Sequence, residues 1–206
     1  MAKVLASYKE EINQQKIPSG QKKVLLAGLK LFSEKGFHAT TTAEIAHEAS
    51  VSEGTIYKYF KSKDDLLTKL LNPLLKEVQE NFFVQLNDYQ DLSKLVAFVV
   101  EDRVHFLLIN FDFFSLFFQE LLTNQNMLNL IKKYVAGEKG VLAYCQNLQH
   151  RFTEINQKLT PVQILRILIS PMLAYVIQVK LFNLKAADDS ADMTLLKRQI
   201  SANLTD

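Results

Sequence analysis

Glycine and proline are scarce in this chain, six and four in 206 residues. Period-2 alternation of apolar and polar residues is missing as well. Chains of short strands need both the turn residues and the alternation, so an all-β fold is excluded and an all-α fold is predicted. A single cysteine, Cys145, excludes a disulfide framework within the chain. No catalytic-thiol motif surrounds it, and it reads as a small buried residue. Tryptophan is absent. The four histidines, His38, His47, His105 and His150, are scattered, with no metal, triad or glycine-rich phosphate pattern beside them. An enzyme is therefore not expected, and neither a cofactor nor a metal is. The opening residues hold no apolar run of the secretory kind, so a cytoplasmic location is expected.

An excess of one charge is lacking too, since the net charge is only +2. Its distribution is uneven. Residues 1–70 hold eleven Lys and Arg against eight Asp and Glu, and residues 71–206 hold thirteen against fourteen. The cationic surplus lies on the segment that carries the chain's most informative motif.

That motif runs from Thr40 to Leu67. Thr41 and Glu44 have capping-box spacing, which predicts a helix from Thr42. Ile45, Ala46 and Ala49 form its apolar face. The helix should stop near Ser50, where Val51 can pin a turn and Ser52 can cap a second helix from Glu53 to about Phe60. In that second helix Ile56 and Phe60 share the inward face. Thr55, Tyr57, Lys58 and Tyr59 are then left outside. Gly54 costs about 1 kcal/mol relative to Ala in a helix, which suggests that something must approach the backbone closely. Ser62 and Asp65 form a further capping box. Two short helices joined by a tight turn, with small, hydroxylated and cationic residues on the second, describe a helix-turn-helix whose second helix enters the DNA major groove.

The run Thr41-Thr42-x-x-Ile45-Ala46, then Ala49-x-Val51-Ser52-x-Gly54-Thr55-Ile56-Tyr57-x-Tyr59-Phe60-x-Ser62-Lys63-x-x-Leu66, resembles the DNA-binding domain of the tetracycline-repressor (TetR) family. Ala27, Leu31, Phe32 and Lys35-Gly36-Phe37 fit the preceding helix. Residues 20 to 70 carry the resemblance, with Ser50 standing where the family often has Gly. The resemblance implies that Thr41 and Thr42 offer hydroxyls and amides to a phosphate. It implies that Ser52, Glu53, Thr55 and Lys58 face base edges or nearby phosphates, with Gly54 allowing close approach. Tyr57 and Tyr59 would donate to phosphates, with Tyr59 also able to pack on a thymine methyl. Lys61 and Lys63 would make salt-dependent backbone contacts.

The expected architecture is an N-terminal arm and helix-turn-helix domain over residues 1–65, followed by a helical regulatory and dimerisation domain over 66–206. Helices are expected from Ser62 through a kink at Pro73 to about Leu86, from Asp91 to Ile109, and from Phe111 to Thr123. Another is expected over 126–152, broken near Gly137 and Gly140. Thr160-Pro161-x-Gln163 opens a helix reaching Asn183, and a last helix spans 191–203. The 161–183 helix is apolar nearly all round. Arg166, Lys180 and Pro171 argue against a membrane span, and burial against a second subunit is preferred. The resemblance implies a homodimer built from the last two helices, with Leu168, Met172, Tyr175, Val179, Leu195, Leu196 and Ile200 as candidates. A two-fold dimer also presents two recognition helices to a palindromic operator in double-stranded DNA.

Half of the fourteen phenylalanines fall within residues 98–118. Core packing is the simplest reading. The family resemblance adds a second, a small-molecule effector pocket lined by Phe98, Asp102, Phe106, Phe113, Phe114, Phe117, Tyr134, Tyr144 and Tyr175. The function expected is a dimeric DNA-binding transcriptional regulator, a repressor released by an apolar or amphipathic ligand. The alternative is a ligand-independent architectural or adaptor protein.

Overall fold

The computed structural model describes residues 8–77, 82–138, 140–184 and 189–206. Among these the chain forms helices and no strand. In order they are α1 (Tyr8–Gln14), α2 (Ser19–Lys35), α3 (Thr42–Glu48), α4 (Glu53–Tyr59), α5 (Lys63–Glu77) and α6 (Phe83–Leu86). Then come α7 (Leu92–Ile109), α8 (Phe111–Thr123), α9 (Gln125–Ala136), α10 (Val141–Arg151), α11 (Pro161–Leu181) and α12 (Asp189–Thr205). The all-α expectation holds.

The helix boundaries follow from local chemistry. At α3 the Thr41 hydroxyl accepts from the Glu44 amide at 3.2 Å, and the Glu44 carboxylate accepts from the Thr41 amide at 2.9 Å. At α11 Thr160 and Gln163 form the same reciprocal pair, with Pro161 at the first position. The Asp65 amide donates to Ser62 at the start of α5. α5 continues through Pro73 to Glu77 as one helix. The continuation towards Leu86 expected from sequence passes through residues 78–81, outside the described residues. α9 and α10 separate at the two expected glycines. A Cβ at Gly140 would stand 2.4 Å from the Tyr134 carbonyl oxygen and one at Gly137 2.7 Å from that of Lys133. Only glycine fits a chain folded back so tightly.

The chain divides into two compact units. The first comprises the chain to Phe82 together with Asn110–Gln125, so it holds α1–α5 and α8. Its core is built on α2, whose Val24, Leu25, Leu29 and Phe32 are buried with Ile45, Ile56, Phe60, Leu66 and Leu70. Phe113 and Leu116 of α8 are buried in the same unit. Ser33 on α2 donates to the Asp112 carbonyl at 2.7 Å, fixing where α8 begins. The short α1, not expected from sequence, buries Ile12 completely.

The second unit comprises Phe83–Ile109 and Asn126–Asp206. α7, α10, α11 and α12 pack on one another there, burying Val96, Val100, Val104, Cys145, Leu148, Ile164, Val176, Ile200 and Leu204. Arg151 closes the unit's loop end, donating to the carbonyls of Leu86, Asn87 and Tyr89 at 2.8–3.3 Å.

Ser50 adopts φ +53°, the left-handed region that favours glycine. The turn imposes this conformation, because the Ser50 amide donates to the His47 carbonyl and the Val51 amide to that of Ala46. Ser50→Gly should therefore raise stability by about 0.5–1 kcal/mol, the relieved strain less the extra chain entropy of glycine. Urea denaturation measures it, and a loss of stability would refute the strain argument.

Candidate nucleic-acid interface

α4 is only seven residues long, and its orientation is set from beneath. Ile56 is fully buried and Phe60, just after the helix, is 1% exposed. With those two inward, Glu53, Gly54, Tyr57 and Lys58 are exposed and Thr55 and Tyr59 half-buried. A Cβ at Gly54 would meet nothing closer than the Ser52 hydroxyl at 3.9 Å, so the first turn of α4 is open to close approach. Gly20 at the start of α2 lies against Tyr59 and Thr55. A Cβ there would be 3.4 Å from the Tyr59 ring and 3.6 Å from the Thr55 methyl. Sequence reasoning missed Gly20, since nothing local shows what a glycine near a helix start will pack on.

The structure brings several of the expected DNA contacts together. The Thr42 hydroxyl donates to the Glu53 carboxylate at 2.5 Å and lies 3.4 Å from the Tyr57 hydroxyl, which joins the start of α3 to the outer side of α4. Ser52 and Thr55 hydroxyls are 2.9 Å apart. The Lys58 ammonium sits 5.6 Å from the Tyr59 ring centroid. The Lys61 side chain is exposed, while its amide donates to Asp65.

Two expected roles change. The Lys63 ammonium, expected on the DNA backbone, donates to the carbonyls of Phe37 at 2.9 Å and Thr40 at 2.8 Å, 4.4 Å from the Phe37 ring centroid. Two of its three protons are committed within the unit, so Lys63 clamps α5 to the loop after α2. Thr41 likewise gives both its amide and its hydroxyl proton to Glu44. Glu44 also accepts from Lys35 at 2.8 Å, and Glu48 from Lys30 at 2.7 Å, two surface pairs that tie α3 to α2. The Lys35 hydrogen bond, then those from Thr41, lower the Glu44 carboxyl to about 2.

The expected effector residues fall in both units. Phe113, Phe114 and Phe117 belong to the first, and Phe113 is 1% exposed, stacked edge-on against Phe114. Phe113 is core, because α8 turns it towards α2. The others lie in the second unit. Phe98 stacks on Tyr89 with centroids 5.1 Å apart. Asp102 pairs with Arg103, whose guanidinium covers Phe106 at 4.8 Å. Tyr144 lies 4.7 Å from the Phe83 ring, and its hydroxyl is enclosed with Arg151 beside it. Burial pushes that hydroxyl up to about 12, and nearby Arg151 offsets part of the shift. Tyr134 and Tyr175 are half-buried.

Of the expected interface residues, Met172, Leu196 and Ile200 are buried within their own unit, and Leu168, Tyr175 and Val179 share the inward side of α11 with Met172. Leu195 is exposed. A different stripe, Val162, Ile169, Ile177 and Leu181, is 37–63% exposed along α11. A helix apolar all round gives no periodicity from which to choose the face, and Met172, expected at a partner, is buried within its own unit.

Residues 24–70 match the family model described as "Bacterial regulatory proteins, tetR family". An HTH-type transcriptional regulator of Bacillus subtilis, YvkB, is 29% identical over 149 residues, 63% of this chain and 74% of its own length. The B. subtilis fatty acid metabolism regulator protein is 29% identical over 119 residues, 58% of this chain. The match spans 60% of that relative's length. The solved structure of B. subtilis FadR in complex with stearoyl-CoA superposes with TM-score 0.67 at 19% identity, covering 89% of this chain and 96% of that one. The shared fold places a helix-turn-helix at the N-terminus and a helical domain after it.

Lys61 and Lys63 should separate cleanly. On non-specific duplex DNA, Lys61→Ala should reduce the slope of log affinity against log salt by about 1. Lys63→Met should leave the slope unchanged and lower stability by about 1–2 kcal/mol. Equal slope changes for both would contradict the clamp. For Glu44, a folded value below the ordinary 4.5 means that its contribution is complete above pH 4.5 and lost as pH falls towards about 2. The stability difference between wild type and Glu44→Gln should shrink across that window in acid titrations of the denaturation midpoint.

Proposed function

We propose that this chain, a member of the tetR family of bacterial regulatory proteins, acts as a homodimeric repressor that an apolar or amphipathic small molecule releases from a palindromic operator. The family is one of DNA-binding transcriptional regulators and not of enzymes. The observation that carries the reading is the outward face of α4, with Gly54 open and Thr42, Glu53 and Tyr57 linked beside it. On this reading Thr42, Ser52, Glu53, Thr55, Tyr57, Lys58, Tyr59 and Lys61 meet the DNA, and the protein works in the cytoplasm, where the DNA is. The DNA-binding part lies in the first unit, which extends past the boundary at residue 65 expected from sequence, and the second unit is the regulatory part.

Dimerisation is proposed from α11. By length and composition α11 is apolar enough to cross a membrane, yet only 22% of its most apolar stretch is buried in the chain. A second copy covering Val162, Ile169, Ile177 and Leu181, with Leu195 from α12, would hide that stripe and set two recognition helices at a fixed spacing.

The effector is proposed to bind in the second unit, near Phe98, Phe106 and Tyr144. The Phe83 ring beside the enclosed Tyr144 hydroxyl suits an apolar body that carries a polar group. The relative that binds stearoyl-CoA makes a long acyl chain the first probe. The effector acts by population shift, weakening DNA binding by the ratio of its affinities for the two conformations. α8 packs on α2 within the first unit, so a change in α8 reaches the DNA-binding helices directly.

Sedimentation and gel shift test the reading together. Ile169→Asp should convert a dimer to a folded monomer and abolish tight operator binding. Stearoyl-CoA should release wild-type protein from the operator, and Tyr144→Phe should require more of it while binding DNA normally. A monomeric wild type would overturn the dimer, and failure of every acyl or lipophilic probe to release DNA would overturn ligand gating.

A further inference from the structure

A carboxylate on the face of a DNA-reading helix needs a physical reason. Glu53 is the first residue of α4 and is exposed. Its side chain is nevertheless held, since the Thr42 hydroxyl donates to one carboxylate oxygen and itself stands 3.4 Å from the Tyr57 hydroxyl. Two helices therefore fix an acidic group at the first turn of α4, next to the open backbone at Gly54. The positive end of a helix favours an acid locally. Contact with phosphates does not, so a carboxylate facing DNA gains most where it accepts a hydrogen bond from a base amino group.

The major groove offers amino donors at cytosine N4 and adenine N6 alone. Adenine places the N7 acceptor directly beside N6, where it repels a carboxylate. Cytosine presents N4 without a neighbouring acceptor on the same base. With one Glu53 oxygen held by Thr42, the second remains to accept from N4. We propose that Glu53 is the residue that reads a cytosine at one position of each operator half-site, with Thr42 as its positioning residue. This rests on α4 being the recognition helix.

Glu53→Gln isolates the idea. Its amide oxygen still accepts from Thr42, so a role confined to joining α3 and α4 survives the change. Its exposed amide, a donor beside an acceptor, matches adenine N6 and N7 instead. The experiment is selection of bound sequences from a random duplex library by wild type, Glu53→Gln and Glu53→Ala, each confirmed folded by circular dichroism. Wild type should enrich cytosine over other bases roughly tenfold at one half-site position, the lower end for a base-edge contact. Glu53→Gln should enrich adenine there, and Glu53→Ala should lose preference at that position only. Identical base frequencies at every position in all three proteins would overturn the proposal while leaving the regulator reading intact. No enriched motif from wild type would overturn sequence-specific binding, and this inference with it.

Discussion

Everything at the candidate interface depends on burying Ile56 and Phe60 beneath a helix of seven residues. Isolated helices of that length do not form in water, because nucleation costs more than one or two turns return. α4 exists where it does because two apolar anchors four residues apart reach the core built by α2 and α5. Once they are in place, the side of α4 opposite them is fixed, and with it the side chains available to a groove. The strained turn at Ser50 and the Lys63 clamp serve the same end. Each holds backbone in place at the edges of α3 and α4, where a shift of an ångström would move every base-facing atom.

The same logic explains the division of labour among charges. Lys30, Lys35 and Lys63 are cations within residues 1–70, and all three are engaged by the protein itself. Counting positive residues therefore overstates the electrostatic footprint. On the proposed reading, what remains for phosphates is a smaller set, with Lys58 and Lys61 at the front and hydroxyls from Ser52 and Tyr57 around them. An interface with few cations and an acid among them relies more on groove contacts than on general attraction to DNA.

Much of this was legible from sequence. Capping boxes at Thr41 and Thr160 act over three residues and need no tertiary information, so their helices begin where expected. The inward face of α4 followed from a four-residue spacing, and the breaks at Gly137 and Gly140 from composition. What escaped was long-range. Lys63 reaches a carbonyl 26 residues away, α8 joins α2 across the chain, and Gly20 makes room for Tyr59. The inward face of α11 escaped for a different reason, since an apolar residue at almost every position leaves no pattern to say which side meets its own subunit.

The account stands on a dimer that sets two α4 helices in successive major grooves. Footprinting on DNA from upstream of the chain's own gene, at about physiological salt with excess competitor, tests that most directly. The account predicts two protected half-sites related by a palindrome, with centres about one helical turn apart or a multiple of it. Diffuse protection that fades with salt and has no boundaries would contradict it.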